Sequence, residues 1–168
     1  FSKYSKINIE NVVVCILDRP RHKDLIASVR STGARIKLIP DGDVSAVIAT
    51  SIIGSGIDMY MGIGGSPEGV LGAAALRCLG GKIYCKLLFD DEDIFERAMD
   101  MGIKDKNTIY STNDLARGDV MFSATGVTDG TMLKGVHYVE NIATTHSVVM
   151  RSKTNTVRFI SANHDLNK

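Results

Sequence analysis

Apolar residues in this chain come in short blocks, and the spacing inside each block predicts its secondary structure. NVVVCILD (Asn11–Asp18) is an unbroken β-branched run, the pattern of a strand buried on both faces. Beyond a turn at Asp18–Arg21, Leu25, Ile26 and Val29 form one stripe of a helix that Gly33 stops. RIKLIP (Arg35–Pro40) returns as a second strand, and a helix follows from about Val44 to Ile52. IDMYMGI (Ile57–Ile63) predicts a third strand, and Pro67 opens a third helix reaching about Leu79. KIYCKLLF (Lys82–Phe89) predicts a fourth strand, with Ile94, Phe95, Ala98 and Met99 on one face of the helix after it.

Strands and helices alternating at this spacing imply right-handed crossovers and a mainly parallel sheet. After about Met101 the pattern changes to short strands and turns. ATTHSVVMR and TVRFISA flank SKTN, a hairpin signature, so the last third should be antiparallel and add to the edge of the same sheet. The expected fold is a single α/β domain over residues 1–168. It has a mainly parallel sheet flanked by helices and an antiparallel carboxyl-terminal hairpin.

Composition narrows the function classes. With 168 residues, 44% apolar and 23% charged, the chain reads as one globular domain rather than a disordered segment. A net charge of +1 supplies no global field for nucleic acid or an anionic membrane, so neither is expected as a partner. No apolar run approaches the roughly 18 residues of a spanning helix, and FSKYSKINIE lacks the core of a signal peptide. Cys15, Cys78 and Cys85 share no metal-ligand spacing, which points to a reduced, cytoplasmic protein. The chain starts at Phe1 rather than methionine, as a piece of something longer would.

Candidate chemistry gathers where strands give way to helices, the place where open α/β sheets hold ligands. After the first strand comes DRPRH, whose Arg19 and Arg21 offer planar cationic donors suited to phosphate oxygens, or simply a solvated helix start. After the second comes PDGD. Asp41 and Asp43 can accept hydrogen bonds from sugar hydroxyls or hold a divalent cation; equally, Asp43 can cap the next helix while Asp41 serves the turn. After the third comes YMGIGGSPEG. Its glycines admit a ligand close to the backbone, and the helix beginning at Pro67 aims free N–H groups at the same place. A dinucleotide fingerprint fails there, because GxGxxG spacing is absent and Pro67 removes an amide. Glu68 is then either a first-turn acid stabilised by the helix dipole or a metal ligand. Jointly, the three loops suit a phosphorylated polyol with a divalent metal.

DRPRH, IPDGDV, GSGIDMYMGIGGSPEGVLGAAALRCLGG and SATGVTDG occur in the same order as in the class II (GlpX-type) fructose-1,6-bisphosphatases, and the chain resembles the carboxyl-terminal half of such an enzyme. The resemblance implies a layered fold like that of the lithium-sensitive sugar phosphatases. It also implies metal-dependent hydrolysis of the 1-phosphate of fructose 1,6-bisphosphate to fructose 6-phosphate, in gluconeogenesis and glycerol metabolism. Carried over by motif, Arg19, Pro20 and Arg21 would line the substrate, with the arginines at a phosphate. Asp41, Gly42 and Asp43 would hold sugar hydroxyls, Gly65 would touch substrate through its backbone, and Glu68 would bind Mn²⁺ or Mg²⁺.

Thr128 and Asp129 are expected in a turn near the site, His22 and Arg30 as structural or solvated, and Lys134, His137 and His146 outside it. The family's remaining acids, and a threonine that helps position the attacking water, belong to its amino-terminal half. That half is therefore an expected partner, catalytic residues are not assigned on this chain, and a homo-oligomer is expected. Asp90–Asp93 imitates an acidic cluster but opens an amphipathic helix. A non-catalytic sugar-phosphate-binding or assembly module is the rival reading, because RPR and DGD could serve it without metal. An NAD(P)-dependent oxidoreductase is disfavoured by the failed fingerprint.

Overall fold

A computed structural model describes residues 1–167. After a short helix α1 (Ser2–Ser5), the β-branched run forms β1 (Val13–Leu17), and its last four residues are buried, as a two-faced strand requires. β2 (Arg35–Ile39) and β3 (Met59–Tyr60) flank it, both parallel to it, in the order β2–β1–β3. α2 (Lys23–Ser31) joins β1 to β2, and α3 (Asp43–Ala49) leads from β2 towards β3. Val12, Val14 and Ile16 are buried with Val29 of α2, so α2 covers one face. α3 packs on β1 and β3. Progression thus runs outward from β1 to β2 and then back past β1 to β3. The strand order reverses between β1 and β3, and that crevice is where such sheets bind ligands.

The third strand is shorter than its sequence pattern. Only Met59 and Tyr60 pair with β1, and Met61–Gly65 leaves the sheet as an extended loop. α4 (Ser66–Leu79) follows, with Pro67 in its first turn and Gly80 ending it at φ 76°. It lies along α3, and Gly72 permits the approach, because a Cβ there would stand 3.1 Å from Val47 Cγ1.

The run Lys82–Phe89 does not supply a fourth parallel strand. Only β4 (Tyr84–Lys86) is strand, and it pairs antiparallel with β5 (Ile109–Ser111) in a separate ribbon. Tyr84 and Lys86 are exposed and Cys85 is half-buried, so this segment alternates and has one covered face rather than two. Between them, Asp91 caps α5 (Glu92–Asp100) by accepting the Ile94 N–H at 2.8 Å, so the acids at Asp90–Asp93 do open a helix. α6 (Thr112–Leu115) follows β5.

The last third is antiparallel as expected, but it does not extend the parallel sheet. β6 (Met121–Thr125), β7 (His137–Val139), β8 (Ile142–Arg151) and β9 (Thr156–Asp165) form their own sheet around β8. The hairpin falls at Ser152–Asn155, with Asn155 in the left-handed region at φ 47°. Ile48 of α3, Ala75 and Cys78 of α4, and Phe122, Val148 and Met150 of this sheet make one buried cluster. The layers therefore run helix, parallel sheet, helices, antiparallel sheet. Among the described residues no helix is long and apolar enough to cross a membrane.

Candidate functional site

All three parallel strands end on one edge of their sheet, so the loops after β1, β2 and β3 share that edge. The tie between the first and third is His22. It sits at the end of a 3-10 turn (Pro20–His22) and is fully buried. Its Nδ1 lies 2.8 Å from the Leu17 carbonyl, and its Nε2 accepts the Ile63 N–H at 2.8 Å. These contacts assign the tautomer: Nδ1 carries the proton and Nε2 the lone pair. The ring thereby welds the end of β1 to the loop beyond β3. Of the structural and solvated roles expected for His22, the first is the observed one.

Arg21 reinforces the same joint. Its Nε donates to the Ile63 carbonyl at 2.8 Å, which leaves the outer guanidinium nitrogens open to solvent. Arg19 is exposed and donates to the neighbouring Asp18 carbonyl at 3.1 Å. Pro20 stands between them and opens the turn.

The loop after β2 turns on Gly42 at φ 77°, a conformation that side chains other than glycine adopt at a cost. Gly42 occupies the N-cap position with no side-chain cap bond, and Asp43 is the first helical residue, so Asp43 does not take the capping role that was one of its two readings. Asp43 Oδ1 accepts the Val44 N–H at 2.9 Å, and its Oδ2 lies 3.4 Å from where a Cβ on Gly64 would stand. Asp43 therefore reaches the third loop. Asp41 is exposed on the turn.

Tyr60, which the sequence pattern did not single out, sits inside this group. Burial, the Asp43 carboxylate and Cys15 push its hydroxyl up to about 12, with Arg21 acting in the opposite direction. An aromatic hydroxyl at the carboxyl end of β3 was the available signal. Glu68, in the first turn of α4, folds its carboxylate back over Gly65, and a Cβ at Gly65 would collide with Glu68 Oε2. A side chain at Gly65 would therefore displace the Glu68 carboxylate from this position.

The group forms an open shelf: Arg19, Arg21, Asp41, Gly64, Gly65 and Glu68 are all exposed. Among the described residues no three His, Cys, Asp or Glu side chains stand close enough to hold a metal together. The loop Gly126–Val136 is braced by bonds of its own. Asp129 accepts the Gly135 N–H at 2.9 Å and His137 Nε2 at 3.0 Å, which holds its carboxyl below the usual range. His137 therefore has a partner that its sequence spacing did not reveal, and it acts inside the loop. Met132 and Leu133 pack against the same cluster as Val44, beside Asp43.

The family described as "Bacterial fructose-1,6-bisphosphatase, glpX-encoded" matches residues 1–164. A protein of Trichodesmium erythraeum named D-fructose 1,6-bisphosphatase class 2/sedoheptulose 1,7-bisphosphatase is 44% identical over 169 residues, covering 93% of this chain and 49% of the relative. A protein of the same name from Synechocystis is 43% identical over 170 residues, covering 94% of this chain and 49% of the relative. The chain spans about half the length of the curated relatives it matches.

Proposed function

The chain belongs to the family of bacterial glpX-encoded fructose-1,6-bisphosphatases, and from that premise we propose that it is the substrate-binding wall of a metal-dependent sugar bisphosphatase. The complete enzyme removes the 1-phosphate of fructose 1,6-bisphosphate by hydrolysis and yields fructose 6-phosphate. This chain corresponds to its carboxyl-terminal half. The relatives' names also carry sedoheptulose 1,7-bisphosphatase. One more carbon leaves the phosphate chemistry unchanged, so the same arginines hold either sugar. The assembled enzyme works in the cytoplasm as a homo-oligomer.

The observation that supports this reading most is the joint at Ile63, where Arg21 and His22 of the first loop seize the third loop beside Asp43 and Glu68. Arg19 and Arg21 hold a phosphate through charge-assisted hydrogen bonds, and Pro20 fixes the turn that spaces them. Asp41 and Asp43 accept hydrogen bonds from sugar hydroxyls, with Gly42 making the turn between them. Gly65 meets the substrate through its backbone. Together they orient the reacting phosphate, and such orientation is a large part of catalysis.

Glu68 fits a divalent cation as one ligand of a set. Its carboxylate is exposed and lies against a glycine where no side chain intrudes. An oxygen donor of this kind suits Mn²⁺ or Mg²⁺, and the remaining ligands come from the other half of the enzyme. When bound, the cation supplies charge neutralisation at the phosphoryl group.

Phosphate release from fructose 1,6-bisphosphate tests this division of labour. We expect none from this chain alone, and Mn²⁺- or Mg²⁺-dependent release once the remaining half of the Trichodesmium relative is supplied. Glu68→Gln should then lower the rate by about 100-fold or more, above the 10–100-fold that residues supporting a ligand contribute. Metal-dependent turnover by the chain alone would refute the wall assignment, and full activity of Glu68→Gln would remove the glutamate from the metal.

A further inference from the structure

We propose that β9 is the seam to the other half of the enzyme, which adds a strand to its free edge and covers the apolar strip around Phe159; this rests on the reading above that such a half exists. β9 pairs with β8 at every position from Thr156 to Asp165, without a bulge, and with no other strand among the described residues. The row of backbone N–H and C=O groups on its far side is therefore open over ten residues. Soluble proteins blunt edges of this length with lysines, prolines, bulges or a covering element. TVRFISANHD has no lysine and no proline; its charges are Arg158, on the face opposite Phe159, and Asp165 at the strand's end.

The side chains point the same way. Val157 and Phe159 stand opposite Met150 and Val148, on the face that β8 turns to the helices. Met150 and Val148 are 1% and 0% exposed, yet Phe159, one strand over, is 63% exposed. The apolar floor of the antiparallel sheet thus runs past the end of its cover, and what completes it must bring both backbone pairing and an apolar layer.

A second copy does not meet that need. A two-fold β9–β9 pairing would set two uncovered Phe159 strips side by side and enlarge the exposed apolar surface. The other half of the relatives has its own sequence and is about as long as this chain, so it can supply a strand and a cover together.

Amide hydrogen exchange on this chain, alone and mixed with the remaining half of the Trichodesmium relative, tests the seam. The expected result is a one-to-one complex in which β9 amides slow at least about tenfold, with a Phe159→Lys variant weakening assembly about tenfold while its far-UV circular dichroism is unchanged. Absence of a complex, a complex in which β9 exchanges as in the free chain, or a homodimer through β9 that the added half does not displace would each overturn it. A β9-protected complex without phosphatase activity would instead count against the proposed function and leave the seam standing.

Discussion

Single residues carry most of the geometry at the shelf. His22 is bonded to backbone through both ring nitrogens, so removing it orphans the Ile63 N–H and the Leu17 carbonyl. Each buried polar group left unpaired costs about 1–3 kcal/mol, and His22→Ala should lower the free energy of chemical denaturation by at least that much. Gly65→Ala should behave differently. The new methyl collides with an exposed carboxylate, so stability should hold while Mn²⁺-dependent activity of the assembled enzyme falls together with that of Glu68→Gln.

Tyr60 reports on the loops directly. Its folded pKa is raised to about 12, whereas an unfolded tyrosine titrates near 10. Stability from the protonated phenol is therefore fully present below about pH 10 and is lost as pH rises through about 12. A difference titration at 295 nm against Tyr60→Phe should place the midpoint near 12. Asp43→Asn should bring it part of the way down, because burial, the larger cause, remains.

At the level of elements, the sequence was most legible where both faces of a strand are buried or a helix has one clear stripe. Asn11–Asp18, Arg35–Pro40 and the SKTN hairpin each formed near their expected bounds. Lys82–Phe89 misled because an apolar run fixes neither a partner nor a second covered face; Tyr84–Lys86 pairs with β5 and buries neither Tyr84 nor Lys86. The expected third strand failed at its end for a different reason: His22 takes the Ile63 N–H that a longer ladder would have used. Ile48 shows where the layers depend on one another, since it is fully buried among α4 and the antiparallel sheet. Ile48→Ala should cost about 2–5 kcal/mol in chemical denaturation and loosen both sheets together.

For the whole molecule, the sequence placed DRPRH, PDGD and GGSPEG on successive loops, and parallel pairing of β1, β2 and β3 brings those loops to one edge. The weld by His22, the position of Tyr60 and the independence of the antiparallel sheet were not legible, because each depends on a long-range pairing that no local spacing encodes. The same parallel pairing leaves an open shelf rather than an enclosed pocket, consistent with a chain that spans about half of its relatives. Whether that shelf receives a sugar bisphosphate is decided most directly by titrating ¹⁵N-labelled chain with fructose 1,6-bisphosphate and mapping the amide shifts. Convergence of the loops predicts that the shifts cluster at Arg19–His22, Asp41–Val44 and Gly62–Glu68. Shifts scattered elsewhere, or none at millimolar sugar bisphosphate, would contradict it.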